Sequence, residues 1–234
     1  MSTASTLVQR LHTAGSDLPT SLATRIVALG SEVAPLLLRL LDGHAENGVG
    51  GVPNAPENCP DCGDQHDNRE WARYHAVDLL TQLREPAAIE AMLKLLARTP
   101  SDEPLHDKIV ERLPDFGDAA LEPTLAALGR TTKETETAES LCCMLSALGV
   151  RDERILRALL DLLSVRPRAG AVYLADYGDP GACPALLAAI TAFEPDVDDS
   201  SARMERLDLV DAYASLGGEL PADVKARIDA WLGG

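Results

Sequence analysis

Apolar positions recur along most of this chain at helical spacing. Ile89, Met92, Leu93 and Leu96 stand at i, i+3, i+4 and i+7, one stripe down a helix. In the segment before them, Ala72, Ala76, Leu79 or Leu80 and Leu83 form a matching stripe. The stripes end on a recurring phrase: an apolar helix end, often Leu-Gly or Tyr-Gly, a short polar break, then a second helix beginning with Ala or Pro. Leu29-Gly30, Leu83-Arg84-Glu85-Pro86, Phe116-Gly117-Asp118, Leu148-Gly149, Tyr177-Gly178-Asp179-Pro180 and Leu216-Gly217 carry it. The markers fall at 30, 84, 117, 149, 178 and 217. Three of the spacings are close to thirty residues, and the two longer ones contain insertions, so the chain reads as a repeat array.

Each part of the phrase has a physical task. Gly supplies the left-handed conformation that closes a helix. Asp118 or Asp179 can cap the next helix by accepting from its free backbone N–H groups. Pro86 and Pro180 suit the first turn, where no N–H is needed, whereas Pro35, Pro123 and Pro184 lie about a turn further in and should perturb it locally. Six helix pairs are predicted: 18–29 with 32–41, after a short helix near 4–13; 70–84 with 86–98; 103–113 with 118–129; 134–148 with 152–163; 167–177 with 180–193; and 201–216 with 220–232. No pair can bury its own stripe, so neighbours must stack into one continuous core over residues 1–234.

The segment from Arg168 through Tyr177-Gly178-Asp179-Pro180 to Leu187 resembles the bacterial HEAT-like repeat, also called the phycobilisome-lyase-type repeat. Arg69 to Leu96 resembles a second, looser copy, and the likeness extends over roughly 18–232. It implies an all-α, right-handed α-solenoid of about six HEAT-like pairs, a fold that typically binds other macromolecules. Second helices usually line the concave face of such arrays. The resemblance therefore nominates the charges on those helices, Arg39, Glu90, Lys94, Glu122, Arg154 and Arg157, as contact residues. A solvated helix face accounts for the same charges.

Composition narrows the function. Ala and Leu supply 71 of 234 residues while aromatics are 3%, which excludes a β sandwich or barrel and suits close helix packing. The formal charge of −16 disfavours nucleic acid, since phosphate contacts need a Lys/Arg surface. The acidity suits instead a basic protein partner, as for an inhibitor or immunity-type protein. No stretch matches a membrane span or a secretory leader, and five Cys is an odd number for a disulfide framework, so a cytoplasmic setting is expected.

Two insertions interrupt the array. Residues 42–69 are rich in Gly, Pro, Asn and Asp, and read as a loop. The loop contains Cys59-Pro60-Asp61-Cys62-Gly63, which resembles the knuckle of zinc-ribbon and rubredoxin-like proteins. Two thiolates separated by two residues can grip one tetrahedral ion. His66, four residues beyond Cys62, suits a third ligand, and His44, fifteen before Cys59, is preferred as the fourth over His75. A structural Zn²⁺ would staple an entropically costly loop; a loop with free thiols or a local disulfide is the alternative. The second insertion, 194–200, carries Asp196, Asp198 and Asp199, but lacks the Gly and terminal Glu of a calcium loop. It reads as a solvated acidic loop, with Ser200 or Ser201 capping the next helix. Cys142, Cys143 and Cys183 sit in apolar helical runs and read as core thiols.

Enzyme readings fare worse. No His-Glu dipeptide of the kind HEAT-like hydroxylases require occurs, no lyase-specific motif accompanies the repeat, and no phosphate loop or Gly-x-Ser-x-Gly elbow is present. The expectation is a non-catalytic protein-binding module, with a HEAT-like enzyme such as a lyase as the remaining alternative.

Overall fold

The computed structural model describes residues 2–42, 65–192 and 200–232, with side chains at 2–42, 71–192 and 204–230. The described residues form thirteen α-helices, with no strand among them. These are α1 (Thr3–Gln9), α2 (Thr20–Val27), α3 (Ala34–Asp42), α4 (Gln65–Gln82), α5 (Ala87–Leu96), α6 (Pro104–Arg112), α7 (Asp118–Leu128), α8 (Glu136–Ala147), α9 (Glu153–Val165), α10 (Pro167–Tyr177), α11 (Cys183–Ala192), α12 (Ser200–Ser215) and α13 (Ala222–Leu232). The all-α expectation holds. Residues 65–69, expected in the loop, instead begin α4. Their polar run, Gln-His-Asp-Asn-Arg, has no apolar stripe to announce a helix. A turn can nevertheless propagate cooperatively from a helix nucleated further along.

All six phrase markers adopt positive φ, from 50° at Arg84 to 84° at Gly217. Arg84 is the one residue other than Gly to do so among the described residues. There the Arg84 amide donates to the Thr81 carbonyl at 3.0 Å and the Glu85 amide to the Leu80 carbonyl at 3.2 Å. Gly217 and Gly218 repeat the same pair of bonds onto Ala214 and Tyr213. This double closure satisfies carbonyls that the helix end would leave open.

Capping follows chemistry. Asp179 Oδ1 accepts from the Gly181 amide at 2.8 Å, and Asp152 and Thr135 cap α9 and α8 in the same manner. Asp118 sits one position too far along for this, as the first residue of α7. Pro35 and Pro184 each stand second in an α-helix that follows a 3-10 turn, one residue after Gly30–Glu32 and immediately after Pro180–Ala182. The missing N–H thus falls where the tighter turn hands over to the α-helix, so the expected perturbation is absorbed in the helix start. Pro123 stays inside α7.

The chain resolves into two compact units, Met1–Pro123 and Thr124–Gly234. In the first, α4 packs on α3 and α6, and α3 packs on α5. Leu11, Ile26, Leu37, Leu41, Leu79, Leu80 and Met92 are sealed in its core. In the second, α10 is central. It packs on α8, α9 and α12, and α11 packs on α12. Gly170 permits the approach of α10 to α9, because a Cβ there would lie 2.4 Å from the Leu163 Cα.

Candidate functional site

In the second unit, α8, α10 and α12 frame a shallow depression of about 550 Å³, continued by a smaller one of about 230 Å³. Val172 lines both, which joins them into one trough. The exposed large apolar side chains of the described residues are Val165 (38% exposed), Val172 (40%) and Met204 (47%). Val165 and Val172 line the trough, and Met204 precedes the lining residue Glu205. Two apolar side chains left in water in one depression stand out in a chain that buries most of its Leu, Ile and Val.

The polar frame is acidic. Glu139, Glu205, Asp176, Asp208 and Asp211 line the trough, against Arg166 and Arg168. Both guanidiniums are engaged: Arg166 Nη1 with Glu139 Oε2, and Arg168 Nε with Asp208 Oδ2 at 2.6 Å. Arg166 Nη2 also donates to the Glu134 carbonyl at 2.8 Å. At the side of the trough the Tyr173 hydroxyl and the Cys143 thiol interact. Burial raises the Tyr173 phenol, reinforced by the charges of Cys143 and Glu139. Burial also raises the Cys143 thiol, against the opposing influence of Tyr173. Both therefore stay neutral near pH 7, and neither supplies a nucleophile or a general base.

A second polar cluster lies in the first unit. Lys108 Nζ is 4.4 Å from the Tyr74 ring centre and 3.4 Å from Asp78 Oδ2, and Arg112 Nε reaches Asp78 Oδ1 at 2.7 Å. Burial opposes the Lys108 charge, but the Tyr74 bond and the charges of Asp78 and Glu111 outweigh it and hold the pKa above the ordinary lysine value. A lysine held protonated is a strut between α4 and α6 rather than a base.

The sequence-derived candidates are dispersed. Arg39 on α3 and Glu90 and Lys94 on α5 are exposed on two helices that pack together. Glu122 is exposed on α7, and Arg154 and Arg157 are exposed on α9. Arg154 is drawn onto Asp152, its Nη2 2.8 Å from Oδ2. Cys59, Cys62 and His44 lie outside the described residues, as does the His66 side chain, whose backbone is in the first turn of α4. His75 is 3% exposed, and its Nε2 is 2.8 Å from the Gly15 carbonyl, so that nitrogen is committed to the core. Among the described residues, no group of three or more His, Cys, Asp or Glu side chains is placed to hold a metal ion. Cys142 is buried, as expected of a core thiol, while Cys143 and Cys183 are half-buried.

Searches against protein-family models, curated protein sequences and solved structures return no match. No single described helix is long and apolar enough to cross a membrane. One pair, Thr20–Val27 with Gly30–Asp42, reaches that length only across a 98° bend.

Sequence reasoning missed the trough. Val165 and Val172 continue the helical apolar rhythm and look like core. The available signal was the acidic content of α10 and α12: Asp176, four residues after Val172, and Glu205, Asp208 and Asp211 on α12.

Proposed function

We propose that this chain is a non-catalytic, HEAT-like protein-binding module. The observation that carries the reading is the pair of exposed valines, Val165 and Val172, lining one carboxylate-framed trough. An open depression of this kind suits a protein surface better than a small substrate, which needs enclosure. A solenoid arrangement is supported by the order of packing: α3 on α5 and α4 on α6 in one unit, α8 on α10 and α10 on α12 in the other. Helices two apart in sequence stack in this way when repeats touch their neighbours.

Affinity capture with the full chain, at low and at high salt, tests the reading. One specific protein is expected at low salt, with weaker retention as exposed charges are screened. Capture of no protein at low salt would overturn it. An inhibitor-type role is favoured by the lining carboxylates and predicts that the captured protein is basic.

We further propose that Cys59, Cys62, His66 and His44 hold a structural Zn²⁺. His75 is left out because its Nε2 is held by Gly15. The ion would supply a fixed crosslink for the insertion between α3 and α4, with no chemical step. Metal analysis of purified protein should find one zinc per chain, lost in Cys59→Ser. Full zinc retention by that variant would refute the site.

A further inference from the structure

We infer that the trough on α10 and α12 receives a basic amphipathic helix of a partner protein, about three turns long. This rests on the protein-binding reading above and specifies the site and the partner's chemistry. Length comes first. The lining residues of α12 run from Glu205 to Ser215, about 15 Å at 1.5 Å per residue. That matches a partner helix of about ten residues.

Backbone chemistry selects a helix over an extended peptide. An added strand needs free main-chain donors and acceptors along an edge. The central residues of α10 and α12 spend theirs inside their own helices, so the trough offers side chains only. A partner helix satisfies its own backbone and can present apolar residues at i, i+3 or i+4, and i+7. Val165, which ends α9, and Val172 on α10 are the exposed apolar side chains that line the trough and would meet such a stripe.

Charge selects a basic partner. Arg166 and Arg168 are taken by Glu139 and Asp208. Glu205, Asp176 and Asp211 have no ion-pair partner among the described residues. Three uncompensated carboxylates beside an apolar strip repel phosphates, anionic lipid surfaces and acidic peptides, and attract Lys and Arg flanking an apolar stripe. A second copy of a chain with net charge −16 is disfavoured on the same ground.

The test uses fluorescence anisotropy with the full chain and a labelled helical peptide of about 14 residues, Leu at i, i+3, i+4 and i+7 and Lys elsewhere. One control peptide replaces Leu by Ser and another replaces Lys by Glu; neither should bind measurably. Val172→Gln should weaken the Lys/Leu peptide roughly tenfold. Asp176→Lys with Asp211→Lys should weaken it at least as much at ~50 mM salt. Asp102→Lys, exposed in the first unit, should leave binding unchanged. All the substituted side chains are exposed, and far-UV circular dichroism checks the fold. Equal binding by wild type and trough variants would overturn the assignment, as would equal binding of the Ser-substituted peptide. So would wild-type self-association that Val172→Gln abolishes, because the trough would then be a self-interface. If the protein captured at low salt is still held by the trough variants, the binding reading stands and this location falls.

Discussion

Gly170→Ala should destabilise the second unit, against the ordinary expectation for an α-helix. By propensity alone, replacing a mid-helix Gly with Ala stabilises by about 1 kcal/mol. Gly170 lies in α10 with its amide on the Arg166 carbonyl at 2.9 Å, so the propensity gain should apply. Packing opposes it. An added Cβ would sit 2.4 Å from the Leu163 Cα, 2.5 Å from its N and 2.9 Å from its Cβ. Favourable carbon contacts begin near 3.5 Å, so α9 and α10 must separate by about 1 Å. The obstacle is backbone, which cannot swing away as a side-chain tip can. Separation also loosens Leu159, Leu162, Ala171 and Leu174, all buried. Overpacking costs about 1–3 kcal/mol, and a clash with backbone that moves the helix axes falls at the upper end, about 2–3 kcal/mol. The clash should therefore win by about 1–2 kcal/mol, enough to lower Tm by several degrees.

Urea unfolding followed by far-UV circular dichroism measures the sign directly. Gly129→Ala is the matched control. Its added Cβ would meet only the Leu125 carbonyl at 3.5 Å and the Ala126 carbonyl at 3.8 Å, ordinary contacts. That variant should be neutral or more stable by up to about 1 kcal/mol. A Gly170→Ala protein as stable as wild type would refute the close α9–α10 crossing.

Two more predictions concern buried groups. The Tyr177 hydroxyl donates to the Asp152 carbonyl at 3.0 Å and accepts from the Asp152 amide at 2.9 Å, so Tyr177→Phe should cost about 1–2 kcal/mol in the same urea assay, and an unchanged midpoint would contradict both bonds. Burial pushes the Cys142 thiol up to about 12, so iodoacetamide near pH 8 should modify Cys143 and Cys183 before Cys142, read by peptide mass spectrometry; first modification at Cys142 would contradict its burial. The same shift fixes a pH trend: the unfolded thiol ionises near 9 and the folded one near 12, so its contribution is full below about 9 and is lost as pH rises toward 12.

The fold was largely legible because its punctuation is chemical. Helix closure needs a left-handed residue, and the phrase ending in Leu-Gly or Tyr-Gly marks it. Arg84 shows that the phrase, more than the glycine, carries the signal. At φ 50° it takes the same closure, and its guanidinium donates to the Asp115 carbonyl at 3.1 Å. Propensity alone would not place an arginine there, since the left-handed region costs a residue with a Cβ roughly 1–2 kcal/mol. The start of α4 was not legible, because Gln65 to Arg69 contain no apolar residue to set a phase. The turn type ahead of Pro35 and Pro184 was also hidden, since a missing N–H is tolerated by a 3-10 turn and by the first turn of an α-helix alike.

The trough was illegible for a deeper reason. Hydrophobic spacing reports which face of a helix is apolar, not whether anything covers it. Val172 lies one residue before Tyr173 and two before the buried Leu174, in a helix whose every turn carries apolar residues. In the sequence it is equivalent to Ala171, which is fully buried. Only the packing of α10 between α8 and α12 separates them, leaving Ala171 inside and Val172 at the rim. The charged candidates on second helices suffer the converse ambiguity. Arg39, Glu90 and Lys94 are exposed as charge requires, and exposure of a charged residue carries little information. An exposed valine beside unneutralised carboxylates carries more, because water opposes the first and solvation alone does not require the second to gather there.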